Sequence, residues 1–213
     1  MASIDLEPGL TKDRAAIIMF DALNGYLHPT DERKEANLKA WGIRENMQRL
    51  VAGAHDNGLT VFYPSGSHAP DGSDHCTRLT DTDMELNPWG DRTPSFKPHI
   101  AAGSEAAQVA PEVAPGPGDV VVPKHRWSSF YQTHLEIQLR CRGIKTVIIA
   151  GGSSDVGVIS TAYAARDMDY GIVIVADCCY SHRGDNNQFL MERIFPRMAR
   201  VMTADDVVAL MKG

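Results

Sequence analysis

No apolar run in this chain approaches the ~18 residues that a membrane-crossing helix needs, so a bilayer span is not expected. Basic residues are outnumbered, 21 Lys and Arg against 27 Asp and Glu for a net charge of −6, and they are scattered rather than gathered into a stripe. That argues against nucleic acid as the main partner and for a small-molecule ligand. Cysteine is scarce: Cys76, Cys141, Cys178 and Cys179 show no CxxC spacing, and the adjacent pair bridges only with strain. Buried, reduced thiols are expected. The start, Met1-Ala2-Ser3-Ile4-Asp5-Leu6-Glu7-Pro8, lacks the basic stretch and apolar segment of a secretory leader, which points to a cytoplasmic protein. Nor is there a composition break or long polar linker in 213 residues of which 43% are hydrophobic, so one domain over residues 1–213 is expected.

What is present is an alternation of short apolar runs and helix-like segments. Ala15-Ala16-Ile17-Ile18-Met19-Phe20 reads as a strand buried on both faces, ending at Asp21. Helical spacing runs from about Glu35 to Asn57 and is closed by Asn57-Gly58. A second strand follows over residues 59–63. Residues 64–118 are rich in Gly, Pro, Ser and Asp, with one short helix expected around 103–110, and read as a lid or binding loop. Asp119 to Pro123 restarts the sheet and delivers Lys124. A helix from Ser129 or Thr133 to Arg142, a strand from Thr146 to Ala150, a helix from Ile159 to Asp169, a strand from Ile172 to Ala176, a helix from Asn186 to Met198 and a last strand at residues 200–202 complete the pattern. The fold class is α/β, three layers around a mainly parallel central sheet.

In such sheets ligands bind beyond the carboxyl ends of strands. Asp21, Lys124 and the turn from Gly152 to Gly157 all fall at such ends. The segment Val147-Ile148-Ile149-Ala150-Gly151-Gly152-Ser153-Ser154-Asp155-Val156-Gly157 is a strand and tight turn that leads into a helix. Turns of this kind aim backbone N–H groups at an anion or at the oxyanion of a reacting carbonyl. A thiol at the centre of the turn would be a nucleophile, and glycine removes that option. A tight turn that merely needs a small residue is the plainer reading.

Three ordered motifs, Phe20-Asp21-Ala22-Leu23-Asn24-Gly25-Tyr26, Lys124-His125-Arg126-Trp127-Ser128-Ser129-Phe130 and Gly151 through Ala162, together resemble the isochorismatase-like hydrolase superfamily over roughly residues 14–205. The resemblance implies a three-layer α/β fold whose cysteine-containing members use an Asp, Lys and Cys triad on amides. By motif position the Asp is Asp21, the Lys is Lys124, and Gly157 holds the Cys place. Isochorismatases of the siderophore and phenazine pathways also carry glycine there and cleave a vinyl ether without a covalent intermediate. The chain departs from that branch at Leu23, where its pattern has glutamine, and Ser154-Asp155-Val156 looks more like the amidase form of the turn. The metal-binding amidases place an Asp and two His near the second strand. Here His68, Asp71, Asp74, His75 and Cys76 lack that spacing, so neither metal nor cofactor is expected. The family also carries a non-proline cis peptide at the position of Gly152-Ser153, which would turn the Val156 and Gly157 N–H groups inward. Homodimers or tetramers are implied by the resemblance alone.

Without a thiol, the useful role for Asp21 is that of a general acid, or a base that positions water. Burial pushes its carboxyl toward the neutral form and the Lys124 ammonium pushes it back. Asn24, Tyr26, Trp127 and Phe130 are expected pocket walls, with Gly152, Ser153 and Val156 lining the turn, although aromatics beside a sheet also serve as plain core packing. His125 and His182 stay outside the catalytic set, as do Cys178 and Cys179, which have no evident base beside them. The expected activity is cofactor-independent hydrolysis of a vinyl ether or amide-type bond in a small metabolite. The alternatives are an amidohydrolase whose nucleophile has been lost and a silent homologue that binds a metabolite or partner.

Overall fold

The computed structural model of the chain describes residues 10–74 and 100–211. The first apolar run forms strand β1 (Ala15–Phe20), buried at every position. A strand with no polar side needs cover on both faces. It has it: Ala15, Ile17 and Met19 enter one core cluster, and Ala16, Ile18 and Phe20 enter the other, following the strand's period of two.

Five more strands, β2 (Val61–Gly66), β3 (Val120–Lys124), β4 (Thr146–Gly152), β5 (Gly171–Tyr180) and β6 (Arg200–Met202), join it in the order β3-β2-β1-β4-β5-β6. Every pairing is parallel. The chain builds outward from β1 in one direction and then returns to extend the other side. The carboxyl ends of β1 and β4 therefore flank the topological switch point, where such sheets open a crevice.

Helices fill the outer layers: α1 (Asn24–Leu27), α2 (Glu32–Ala40), α3 (Ile43–Asp56), α4 (Leu135–Cys141), α5 (Ile159–Asp167), α6 (Asn186–Phe189) and α7 (Ala204–Met211). Met47, Leu50 and Ala54 of α3, with Ala204 and Val207 of α7, cover one face; Leu135 and Leu139 of α4, with Ala162 and Ala165 of α5, cover the other. Asn46 donates to the Asp177 carbonyl at 2.7 Å, and the Asp177 side chain accepts the Ala204 N–H at 2.8 Å, which pins α3 and the start of α7 to β5.

Several boundaries differ from those expected. The helix predicted over 35–57 is two helices, α2 and α3, because Gly42 turns back with φ +63° between them. Strand β2 begins two residues later and runs on through Pro64-Ser65-Gly66, where pairing with Val122, Pro123 and Lys124 of β3 outweighs the local turn character. β5 likewise continues to Tyr180 and takes in Cys178 and Cys179. The helix expected over 186–198 is α6 followed by a wide turn and then a tight one that contains Pro196. Around 103–110 there are only short tight turns at Glu105–Ala107 and Pro111–Val113. Helix α7 was not anticipated, although Thr203 and Asp206 form a reciprocal cap at its start, each accepting the other's backbone N–H.

The predicted lid is only partly described, and residues 75–99, with His75 and Cys76, lie outside the described residues. Its later part packs down on the segment after β1. Leu23 bridges Val109, the Asn24 N–H donates to Gln108 and the Ala110 N–H donates to Ala22. Cys178 and Cys179 are buried free thiols, but Cys141 is exposed, because it ends α4 on the solvent side. No helix among the described residues is long and apolar enough to cross a membrane.

Candidate active site

Asp21 leaves β1 with φ +46°, a left-handed conformation that Asp tolerates better than most residues. Its N–H donates to the Pro64 carbonyl at 2.9 Å, which ties the bend to the end of β2. The bend carries the carboxyl across the ends of β2 and β3. Oδ1 accepts the Gly66 N–H at 2.8 Å, and Oδ2 accepts from Lys124 Nζ at 2.8 Å. Gly66 and Lys124 are register partners at the last rung of β2 and β3, so one ladder supplies both donors. Asp21 and Lys124 are each only 6% exposed.

Burial pushes the Asp21 carboxyl above the usual carboxylate range, with the Lys124 ammonium and the Gly66 N–H opposing it only in part. Two phenols share this electrostatic environment. Burial, reinforced by the negative charge of Asp21, holds both Tyr26 and Tyr180 well above the ordinary phenol range. Both stay neutral hydroxyls at any physiological pH.

The β4 side is shaped by close approach. At Gly151 φ is +119°, and a Cβ there would sit 2.0 Å from the Phe20 carbonyl oxygen. Only glycine fits. At Gly152 a Cβ would meet the Tyr180 ring, and the Gly152-Ser153 peptide is cis, as the family resemblance implied. The N–H groups of Val156, Gly157 and Val158 all converge on the Ser153 carbonyl, at 3.2, 3.1 and 3.3 Å. The expectation that the Val156 and Gly157 donors are offered to a ligand is therefore corrected. The turn coils widely enough for one carbonyl to take them.

Position 157 is not an empty notch. A Cβ there would lie 1.9 Å from Phe20 Cζ and 2.1 Å from Cε1. The buried Phe20 ring occupies that space, and Lys124 Nζ stands 4.3 Å from the ring centroid. The turn itself is held through Asp155, which bonds Ser153 Oγ, accepts from Asn186 Nδ2 at 2.7 Å and lies 3.6 Å from Arg183. Burial works against ionisation of Asp155, but bonds from Ser153, Asn186 and Ser181, with the Arg183 charge, bring its carboxyl below the usual range.

Asp21, Lys124 and Gly157 thus come together, with Phe20 between the last two. The expected pocket walls divide. Tyr26 stands close enough to Asp21 for its phenol to feel the charge. Asn24 instead donates to the Glu105 carbonyl at 3.2 Å and holds the covering segment. Phe130 is core rather than wall: it stacks on Tyr170, which precedes β5 at the opposite edge of the sheet, with centroids 6.0 Å apart. Trp127 is exposed. The segment after Lys124 is anchored from below, since the Ser129 N–H and Oγ both meet Thr161 Oγ1 at 3.0 Å in the interior.

Among the described residues no group of three or more His, Cys, Asp or Glu is arranged to hold a metal ion. His68 and His125 instead flank one carboxylate, Asp74, at 3.7 and 3.3 Å. Asp71 accepts the Ser73 N–H. Burial raises both neighbouring thiols of β5, Cys179 to about 12, so neither is a thiolate at neutral pH. Phe20, Gly66 and Asp155 are the site residues that sequence reasoning did not single out.

The sequence profile of the Isochorismatase domain matches residues 15–206. Two uncharacterized isochorismatase-family proteins align over part of the chain: YecD of Escherichia coli O157:H7, 37% identical over 42% of this chain, and YwoC of Bacillus subtilis, 31% identical over 50% of it. Those alignments span only 48% and 56% of the two relatives. The phenazine biosynthesis protein PhzD1 of Pseudomonas aeruginosa is 27% identical over 98% of this chain and 89% of its own. Among solved structures, N-carbamoylsarcosine amidase from Thermoplasma acidophilum is similar with a TM-score of 0.70 at 27% identity, covering 90% of this chain and 97% of that one.

Proposed function

The chain belongs to the isochorismatase family, and from that premise we propose that it hydrolyses a small metabolite without a thiol nucleophile, using Asp21 as the proton carrier and Lys124 as its electrostatic partner. The observation that carries this reading is the buried 2.8 Å contact between Lys124 Nζ and Asp21 Oδ2 on the β2 and β3 side of the switch point. A carboxyl raised by burial holds its proton further into the working pH range, as a general acid must. The ammonium and the Gly66 N–H then stand ready for the anion left once the proton has gone.

On an enol ether, Asp21 gives its proton to the terminal alkene carbon. The ether oxygen pushes electron density into the adjacent carbon, which becomes an oxocarbenium ion. Water adds to that carbon and returns a proton to the Asp21 carboxylate. The hemiketal then collapses to a ketone and an alcohol. Lys124 holds the carboxyl in place and offsets negative charge on the substrate. The resemblance to the isochorismatases that carry glycine at the place of Gly157 supports a non-covalent course, and the similarity to an N-carbamoylsarcosine amidase supports including C–N bonds in the search.

A mass-spectrometric time course on isochorismate, nicotinamide, a carbamoylated amine and maleamate, run with the native chain and Asp21→Asn, tests the assignment. Turnover of isochorismate that disappears in a folded Asp21→Asn variant supports it. Equal turnover in the two proteins overturns it. Amide turnover would place water, or another group, where a thiolate acts in the amidases, and silence on the whole panel would favour a binding role for the same cleft.

A further inference from the structure

Phe20 ends β1 and precedes the candidate acid. It is 2% exposed and belongs to the core cluster under α4 and α5. Three of its ring atoms, Cζ, Cε1 and Cε2, are the nearest neighbours of the place where a side chain at residue 157 would begin, at 1.9, 2.1 and 2.8 Å. Real Cβ contacts do not come so close, so no side chain larger than hydrogen fits at 157 while the ring stays where it is. The same ring faces the Lys124 ammonium at 4.3 Å. An ammonium has three N–H donors and no acceptor. Here one goes to Asp21 Oδ2, and the negative face of the ring meets the charge from another side.

Resting on the reading of Asp21 and Lys124 as the working pair, we propose that Phe20 is the positioning residue of this site. Its ring occupies the space that a side-chain nucleophile at position 157 would need, and its face fixes the Lys124 ammonium against Asp21. Gly157 is then one half of a matched pair rather than a simple deletion. A cysteine restored at 157 alone would meet the ring.

Two measurements, neither of which needs a substrate, test the two halves of this proposal. The first compares Gly157→Cys with the double variant Phe20→Ala and Gly157→Cys, using iodoacetamide under native conditions and peptide mass spectrometry at position 157. The introduced thiol should react at least ~10-fold faster in the double variant, with rates equal after denaturation. Equal native rates, whether fast or slow, would overturn the steric half. The second follows the Asp21 carboxyl by carbon-13 NMR across pH in Phe20→Leu and in a chain carrying 2,6-difluorophenylalanine at position 20, whose fluorines lie away from the atoms that face Gly157. Each weakens the hold on the ammonium, so the Asp21 midpoint should move up by ~0.5 pH unit or more in Phe20→Leu and by less in the fluorinated chain. A midpoint unmoved in both would overturn the positioning half. Failure to turn over any substrate leaves both readouts intact, so this inference and the proposed activity fail separately.

Discussion

Where β1, β2 and β3 end, the structure gathers a carboxyl, an ammonium and the Gly66 amide into contacts of 2.8 Å, whereas where β4 and β5 end it gathers glycines, aromatic rings and a turn clamped through Asp155. The first side is made by ladder register: Gly66 and Lys124 are neighbours because β2 and β3 pair, and Asp21 reaches them through one bend. The second side is made by exclusion, since its glycines are fixed by the Phe20 carbonyl, the Phe20 ring and the Tyr180 ring. Charge on one side of the switch point and shape on the other imply different sensitivities to substitution. Phe20 belongs to both sides.

The largest effect should come from the charged side. Lys124→Met keeps most of the side-chain volume and leaves the Asp21 carboxyl buried without its cation, so it should cost about 3–5 kcal/mol of stability at about pH 8, and turnover should fall with it. The pH dependence has a definite sign. Burial already raises the Asp21 carboxyl, and removing the ammonium raises it further. A group with a raised folded pKa loses its favourable contribution as pH rises through that value, so the penalty should grow toward alkaline pH and shrink toward about pH 4. Urea unfolding of both proteins across this range checks it. A penalty independent of pH would mean that Lys124 acts through packing alone.

The charged side was also the legible one. Asp21 and Lys124 each directly follow an apolar run, and a parallel sheet places such residues at one edge. Gly157 was legible from its motif, but what fills its space was not, because the Phe20 ring reaches it through the fold and nothing in the local sequence marks the meeting. The end of β2 was misjudged for a similar reason: Pro64-Ser65-Gly66 favours a turn until β3 pairs with it. The break at Trp41-Gly42 was hidden by apolar spacing that runs straight through it, and the donors expected of the turn after β4 were taken by Ser153, a matter of how widely the backbone coils. Helix α7 was different, since its Thr203-to-Asp206 spacing is a start signal present in the chain.

On the shape side, Asp155→Asn should have a smaller effect, about 1–2 kcal/mol, because charge-assisted bonds are lost from a partly solvated network. The penalty again shrinks toward acid, but it does so at lower pH than for Lys124→Met, because this carboxyl is held below the usual range and that of Asp21 above it. The Asp155 carboxyl is held low, so its contribution is present above the unfolded value and is lost as pH falls through the folded one. The variant should therefore differ from the native chain at neutral pH and converge on it in acid. If the two unfolding curves stay equally far apart throughout, the clamp is steric, and the contrast between the two sides sharpens further.

The smallest effect sets the baseline for the others. Thr203→Ala removes the cap of α7, which packs on α3 over the face away from the Phe20 ring. It should cost about 1 kcal/mol, with no dependence on the Asp21 or Asp155 titrations. Turnover at a temperature where both proteins are folded should be unchanged, as should the Asp21 carbon-13 midpoint. If this remote substitution moved the midpoint, the titration would be reporting general loosening of the sheet, and neither the charge of one side nor the shape of the other could be read from it.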